Sequence, residues 1–293
     1  MFGKEENIST KRKDIGNDVS HLMSGKSYSD ENFPVASFLM KKKIRSVVRV
    51  FYFFARMADD IADHQTLSSN QKKKILLFFD NAISKSKKTN NKVLDKMIAK
   101  FKELPSGKKY SRNLLKAFIM DASNKKYKNW NDLLYYCKFS ANPVGRFVID
   151  AVNERKNIEK IYEASDSLCT ALQIINHIQD CKKDFKELNR VYIPESFFKK
   201  YSLDKKILRK SKSIENFERL KIEIVDNVLV SLRKTKLGLR KIQSWRLRKE
   251  TLIILNIAKR LCNLLKINDP LEKQIKLSRI DFIFCFFKGI MYD

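Results

Sequence analysis

Turn-forming residues are scarce in this chain, which has only seven glycines and five prolines among 293 residues. Chains built from strands need frequent turns, whereas here apolar residues recur at helical spacing over long stretches without turn signals. The longest such stretch runs from Phe33 to His64. Further helical patterns cover 70–88, 91–103, 110–122 and 160–183, with three or four more helices in 203–293. The sequence therefore predicts an all-α fold in a single domain.

Breaks between these helices are predicted from a few local signals. Residues 104–109 and 189–198 read as loops, the second closed by Pro194. The pair Asn131-Asp132 is a candidate helix cap, and Pro143 with Gly145 should kink or break the helix that follows. These signals place the turns but not the packing of the helices.

The first 26 residues are polar and charged without periodicity, so we predict a flexible N-terminus over 1–26 and one folded domain over 27–293. The N-terminus lacks the apolar core of a signal peptide, and no apolar run approaches the roughly 18 residues of a membrane span. The five cysteines are scattered without CxxC spacing, which is typical of reduced, mostly buried thiols. Together these features predict a cytoplasmic protein.

The formal net charge of +28 is compatible with a nucleic acid, an anionic membrane surface or a phosphorylated substrate. Lysines are spread along almost the whole chain, for example in 72–75, 84–92 and 209–213. This spread favours a solvated basic surface over a shaped patch. No nucleic-acid-binding module is recognisable, so we expect no nucleic-acid partner.

Three acids interrupt an apolar, aromatic segment, YFFARMADDIADH (52–64). On a helix Asp59 and Asp63 share a face, whereas Asp60 lies about 100° from Asp59, turned away from that site or toward its edge. Two carboxylates on an apolar face repel each other and lose hydration, which a divalent cation would relieve. Oxygen ligands suit Mg²⁺. The alternative, an N-cap or solvated face, is disfavoured by the apolar neighbours.

A second polar set lies in ALQIINHIQDCKKDF (171–185), as Gln173, Asn176, Asp180 and Asp184. On one continuous helix these four side chains form a stripe about 80° wide. Two helices that each carry an acidic stripe resemble the carboxylate sites inside helix bundles. The sequence therefore predicts a pair of facing metal-binding clusters.

Basic and aromatic residues accompany both clusters. Arg56 lies three residues before Asp59 and is suited to bind a phosphate, while Arg190 and Tyr192 follow the second stripe in a loop. Aromatic residues are frequent in the same segments: Phe51, Tyr52, Phe53, Phe54, Tyr135, Tyr136 and Phe139. Their rings either form plain core or line a cavity that stabilises cations. Acids, cations and rings together indicate ionisation of an allylic or similar diphosphate to a carbocation.

The segment YFFARMADDIAD (52–63) resembles the first aspartate-rich motif of the squalene/phytoene synthase family, and ALQIINHIQDCKKDFKELNRVYIP (171–194) resembles the second. The resemblance implies an isoprenoid-synthase helical bundle with a central active-site cavity, in which 27–293 is a trans-isoprenyl diphosphate synthase-like catalytic domain. It implies two or three Mg²⁺ ions held by Asp59, Asp63, Asn176, Asp180 and Asp184. It also implies substrate or diphosphate contacts from Arg56, Gln173, Arg190 and Tyr192, and a reaction chamber lined by Tyr52 and Tyr136. One departure is Asn189, where the family usually has glycine.

The segments ENFPVASFL (31–39), FARMADDIADH (54–64) and YCKFSANPVGRFV (136–148) resemble the bacterial hydroxysqualene synthases of hopanoid pathways. That subgroup implies ionisation of presqualene diphosphate, rearrangement of a cyclopropylcarbinyl cation and quenching by water, without NADPH. Its pathway partners would be a presqualene diphosphate synthase and a hydroxysqualene reductase. Two alternatives remain open: head-to-head condensation of farnesyl diphosphate to presqualene diphosphate or a phytoene-type product, and a non-catalytic helical assembly factor.

The C-terminal segment IDFIFCFFKGIMYD (280–293) is strongly apolar. It is suited either to core packing or to peripheral contact with the inner face of the cell membrane. The basic surface and a water-insoluble product suggest the membrane contact, and the apolar composition supports core packing at least as well.

Overall fold

The structure of the protein, a computed structural model, describes residues 40–233 and 235–291. The predictions for 1–26 and for the first residues of the Phe33 helix lie outside the described residues. Every regular element in the described part is helical, which agrees with the all-α prediction. The elements are α1 (Lys42–Asp63), α2 (Ser69–Lys85), α3 (Lys92–Lys100), α4 (Gly107–Ala122), α5 (Trp130–Ser140), α6 (Asn142–Ala151), α7 (Ile158–Gln179), α8 (Cys181–Leu188), α9 (Glu195–Lys200), a 3₁₀ helix (Lys205–Arg209), α10 (Glu215–Leu232), α11 (Thr235–Leu239), α12 (Trp245–Ile267) and α13 (Arg279–Met291).

Several helices begin at a side chain that accepts a hydrogen bond from the first turn, which satisfies an otherwise unpaired backbone N–H. Ser68 forms a capping box with Gln71 at the start of α2. At α5 the cap is Asn129, whose side chain accepts from the backbone N of Asp132 at 3.0 Å. The prediction of a cap at Asn131-Asp132 was therefore wrong by two residues, because both lie inside the first turn.

The predicted break at Pro143 is confirmed. Helix α5 ends at Ser140, and α6 begins at Asn142 with Pro143 in its first turn, where the missing N–H costs no hydrogen bond. Gly145, one turn further on, lies so close to α7 that a Cβ there would be 2.2 Å from Ser165 Oγ. The glycine thus allows α6 and α7 to pack closely.

The single helix predicted over 160–183 is wrong at its C-terminal end. Asp180 leaves helical geometry (φ −101°, ψ 7°) and separates α7 from α8. The hydrogen bonds continue through the junction, from Asp180 N to Asn176 O at 2.9 Å and from Asp184 N to Asp180 O at 2.8 Å. The predicted loops are also shorter than expected, because α4 already begins at Gly107 and α9 at Glu195.

The helices bury two hydrophobic clusters. One is formed mainly by α1–α4, and the other by α5, α7–α10 and α12, while α4 and α6 contribute to both. Phe51 of α1 stacks on Phe147 of α6 with ring centroids 3.9 Å apart. Helix α7 contacts α5, α6, α10, α11 and α12 and is the central element of the second cluster. Among the described helices, none is both long and apolar enough to cross a membrane.

Candidate active site

The first acidic cluster occupies one face of α1. Tyr52, Arg56, Asp59 and Asp63 are separated by steps of four, three and four residues and form a stripe about 60° wide. Arg56 contacts Asp59 Oδ2 at 3.2 Å through Nη1 and Asp60 Oδ1 at 2.8 Å through Nη2. Asp60 is buried at the edge of this stripe. Arg56, the cation predicted to bind a phosphate, thus balances two carboxylates of its own helix.

The second cluster is divided by the α7–α8 junction. Gln173 and Asn176 lie on the last turns of α7, Asp180 is the junction residue, and Asp184 lies in the first turn of α8. All four residues are half-buried. The predicted stripe assumed one straight helix, so its angles do not apply beyond Asp180. The backbone hydrogen bonds nevertheless continue from α7 through Asp180 into α8.

Electrostatic coupling joins the two clusters. The pKa of Asp184 is raised to about 8 by desolvation, then by repulsion from Asp180 and from Asp63 on α1. The pKa of Asp59 is likewise raised well above its ordinary value by desolvation, ahead of repulsion from Asp63. Since a carboxylate of α1 acts on one of α8, the structure places the two predicted acidic clusters near each other.

Arg190 provides part of the positive charge that balances these carboxylates. Its buried guanidinium donates to the Asp63 carboxylate and to the Ala62 carbonyl oxygen, the latter at 2.7 Å. The preceding residue, Asn189, ends α8 in the left-handed region with φ 51°. Glycine adopts this conformation most readily and asparagine is the next best tolerated, which explains why Asn189 can stand where the family usually has glycine.

Asp121 is a site residue that the sequence reasoning missed. It is buried near the C-terminal end of α4 and accepts hydrogen bonds from the hydroxyls of Tyr136 at 2.7 Å and Tyr192 at 2.8 Å. Burial raises its pKa to about 6, against the opposing effects of Arg190 and the two tyrosines. The signal was available, because Asp121 follows the apolar run AFIM (117–120) just as Asp59 follows FYFFARMA.

His177 is a second residue that was missed. Its ring stacks on Tyr192 with centroids 3.6 Å apart and planes 11° apart. Its Nε2 lies 3.2 Å from Nε2 of Gln173, a predicted substrate contact. Burial, followed by repulsion from Arg190, lowers the pKa of His177 to about 3, so the imidazole is neutral at physiological pH. His177 therefore links Gln173 on α7 to the tyrosines around Asp121.

The aromatic environment differs in part from the prediction. Phe51 and Phe54 belong to the core of the α1–α4 cluster, whereas Phe53 and Tyr135 are exposed by 42% and 51%. The rings that meet near Asp121 are Tyr136 and Tyr192, both named from the sequence, together with Tyr127 and His177; the centroids of the contacting pairs lie 3.6 to 5.8 Å apart. Tyr127 and His177 were not predicted.

The donor set fits a hard divalent cation. Among residues 40–233 and 235–291, no three His, Cys, Asp or Glu side chains converge closely enough to hold a metal ion as they stand. The candidate ligands Asp59, Asp63, Asn176, Asp180 and Asp184 nevertheless offer only oxygen atoms for Mg²⁺. Burial, followed by repulsion from neighbouring carboxylates, raises the pKa of Asp59 and of Asp184, and a bound cation would favour the ionised form of both groups.

Two surface clefts lie away from this site. One, of 620 Å³, is lined by the start of α1, the α6–α7 connection and the start of α12. The other, of 570 Å³, lies along α1 and α3. Neither wall includes a predicted site residue, so neither cleft is the predicted reaction cavity.

Comparison with known proteins identifies the family. The squalene/phytoene synthase family model matches residues 27–281. The hydroxysqualene synthase of Sinorhizobium fredii is 35% identical over 260 residues, which cover 87% of this chain and 86% of that protein. The hydroxysqualene synthase of Rhodopseudomonas palustris is 34% identical over 269 residues, 92% of this chain and 91% of that protein.

Solved structures share the fold. A dehydrosqualene synthase aligns with a TM-score of 0.77 at 19% identity, covering 94% of this chain and 95% of that chain. Squalene synthase HpnC from Alicyclobacillus acidocaldarius aligns with a TM-score of 0.70 at 21% identity, covering 84% and 90%. The predicted all-α isoprenoid-synthase fold is thereby confirmed. These matches, together with the two aspartate-rich motifs, show that the chain is an enzyme that belongs to the squalene/phytoene synthase family.

Proposed function

We propose that this enzyme converts presqualene diphosphate to hydroxysqualene in a Mg²⁺-dependent reaction of squalene and hopanoid biosynthesis. The observation that carries the proposal is the proximity of the two acidic clusters: Arg190, whose backbone N donates to the Asp184 carbonyl oxygen at 3.0 Å, donates through its guanidinium to Asp63 of α1. The choice of reaction within the family is supported by the two relatives named hydroxysqualene synthase, which match about nine-tenths of the chain.

The proposed ligands of Mg²⁺ are the oxygen-bearing residues of both clusters: Asp59, Asp63, Asn176, Asp180 and Asp184. When bound, Mg²⁺ supplies positive charge that neutralises a diphosphate leaving group. Arg190 donates to Asp63, one of these proposed ligands. We propose that Arg190 and Arg56 also contact the diphosphate, and that Gln173 and Tyr192 contact the substrate.

The reaction balances without a reductant. The C–O bond to the diphosphate breaks with its electron pair on the leaving group, and the resulting cyclopropylcarbinyl cation rearranges. The oxygen of a water molecule then bonds to the cation, and its proton passes to diphosphate or solvent. Because no hydride is transferred, we predict that no NADPH is required.

The chain's own aromatic residues are suited to the cationic stage. Tyr136 and Tyr192 are held by Asp121, and His177 stacks on Tyr192, so the rings have fixed positions. Fixed aromatic faces stabilise a carbocation and exclude bulk water. We propose that Tyr52, on the α1 stripe, lines the same chamber as Tyr136.

The test is incubation of the purified protein with presqualene diphosphate, with Mg²⁺ or with EDTA, and identification of the product by mass spectrometry. We expect hydroxysqualene only with Mg²⁺. Asp180→Asn and Asp59→Asn should abolish turnover with the fold intact, whereas Asp226→Asn, an exposed acid on α10 that pairs with Lys266, should not. Near-wild-type turnover of Asp180→Asn would refute the metal assignment.

The alternative reaction within the family is condensation of farnesyl diphosphate, to presqualene diphosphate or to a phytoene-type product with a longer substrate. The same assay separates the two, because a condensing enzyme consumes farnesyl diphosphate and leaves presqualene diphosphate unchanged. Inertness toward both substrates would contradict the formation of hydroxysqualene and of presqualene diphosphate, and incubation with the longer prenyl diphosphate tests the phytoene-type reaction. If hydroxysqualene is the product, the proposed pathway partners are a presqualene diphosphate synthase before this step and a hydroxysqualene reductase after it.

A further inference from the structure

Helix α13 directs its most apolar side toward solvent. Its inward side carries the buried Cys285 and Gly289. Its outward side carries five apolar residues with exposed fractions of 53% to 79%: Ile280, Ile283, Phe284, Phe287 and Met291. Their spacing of three, one, three and four residues confines them to an arc about 100° wide, so they form one continuous stripe, here called the α13 stripe.

The orientation of α13 is fixed by contacts along its length. Arg260 of α12 donates to Asp281 at 2.6 Å, and Lys249 donates to the Ile290 carbonyl oxygen at 2.6 Å. At Gly289 the two helices approach so closely that a Cβ would lie 2.5 Å from Ile253 Cγ1. Rotating α13 to bury the stripe would break all three contacts, so the outward orientation belongs to the fold.

Positive charges border the α13 stripe. Arg279 and Lys288 each lie about 90° from its centre, on opposite sides, and no acid lies within it. The ammonium of Lys288 is 5.7 Å from the ring centroid of Phe284. Lys236 of α11 and Lys259 of α12 lie nearby, since the pKa of Lys259 is lowered by partial burial and then by repulsion from Lys236 and Lys288.

We propose that the α13 stripe binds the surface of an anionic lipid bilayer, with α13 parallel to the membrane plane. An apolar face bordered by lysine and arginine is the pattern of helices that lie in a membrane interface, where cations meet lipid phosphates. At 13 residues, α13 is about 20 Å long, too short to cross a hydrocarbon core of about 30 Å.

A second copy of the chain is a less suitable partner for the α13 stripe than an anionic membrane. In a symmetric pair the same face of each copy meets, so Arg279 and Lys288 of one copy would approach those of the other. Each copy also carries a net charge of +28, which opposes such a pairing. An anionic membrane instead offers both an apolar phase for the stripe and negative charge for its border.

The test is flotation of the full chain with vesicles of phosphatidylcholine mixed with phosphatidylglycerol, and with vesicles of phosphatidylcholine alone. Ile283→Glu places a carboxylate within the stripe, at one edge of its arc. Val230→Glu on α10 is the matched control, because Val230 is 55% exposed and Ile283 is 53% exposed. Each variant adds one negative charge to the chain. Thermal unfolding of the variants checks that each is folded.

We expect the wild type and Val230→Glu to float with the anionic vesicles, less so at high salt and weakly with phosphatidylcholine alone. The partition coefficient of Ile283→Glu should be at least about tenfold lower, because the carboxylate would have to leave water. Equal flotation of the two variants would overturn the proposal. A wild-type chain that floats with neither kind of vesicle would also overturn the proposal. Sedimentation would then distinguish a dimer that Ile283→Glu dissociates, in which a second copy covers the stripe, from a monomer. The readout is binding alone, so its result is independent of the proposed reaction.

Discussion

Proton release on Mg²⁺ binding follows directly from the acidic site. The pKa of Asp184 is about 8 because the carboxyl is desolvated and faces Asp180 and Asp63, whereas its ordinary value is 3.8. At pH 7 a carboxyl with a pKa of 8 is about 90% protonated, and at pH 9 about 10%. Mg²⁺ binds the ionised form. We therefore expect binding to release about 0.9 proton per protein from Asp184 at pH 7 and about 0.1 at pH 9.

The same shift makes the stability of the metal-free protein depend on pH. The folded-state pKa of Asp184 lies above the unfolded one, so between about pH 4 and 8 the native state holds a proton that the unfolded state has lost. Its contribution is therefore fully present below about pH 4 and decreases as the pH rises toward 8. Between pH 6 and 8 the free energy of unfolding should fall by about 2 kcal/mol from this group, with Asp59 acting in the same direction.

The assay is isothermal titration calorimetry of Mg²⁺ into the protein in several buffers of different ionisation enthalpy, at pH 7 and pH 9. The dependence of the observed enthalpy on the buffer gives the number of protons released. Asp184→Asn should remove the part of the release at pH 7 that comes from Asp184, about 0.9 proton, and the control Asp226→Asn should leave the release unchanged. Mg²⁺ binding to the wild type at pH 7 with almost no proton release would refute the argument.

Three further predictions concern the surroundings of the site. Asp121→Asn should lower the free energy of unfolding by about 1–3 kcal/mol in urea titrations, because the amide can accept from only one of two tyrosine hydroxyls; an unchanged midpoint would contradict this. His177→Phe keeps a ring in the stack but removes the contact with Gln173, so kcat should fall several-fold with little change in stability. Equal kcat values for His177→Phe and wild type would show that the contact is dispensable. Gly145→Ala should destabilise the protein by about 1–3 kcal/mol in thermal unfolding, because its Cβ would lie 2.2 Å from Ser165 Oγ. Adding Ser165→Gly should recover part of that loss, and failure to do so would place the strain elsewhere.

Much of the fold was predictable because a helix leaves a pattern in residues that are close together in the sequence. Apolar residues at helical spacing and the scarcity of turns predicted an all-α chain, and the break at Pro143 followed from one missing N–H. The α1 cluster was predictable for the same reason, since Asp59 and Asp63 are one turn apart on a single helix. The break at Asp180 was not, because its flanking residues continue the helical pattern and the hydrogen bonds pass through the junction.

Local sequence patterns were thus enough to predict most of the helices and the two acidic motifs with their chemical type, because each depends on residues within a few turns of one another. The pairing of Arg190 with Asp63, 127 residues away, and of Asp121 with Tyr192, 71 residues away, became known from the folded chain alone. It also decided that α13 turns its apolar stripe outward, since that orientation depends on contacts with α12. Such contacts arise from the packing of distant segments, and no local periodicity records them.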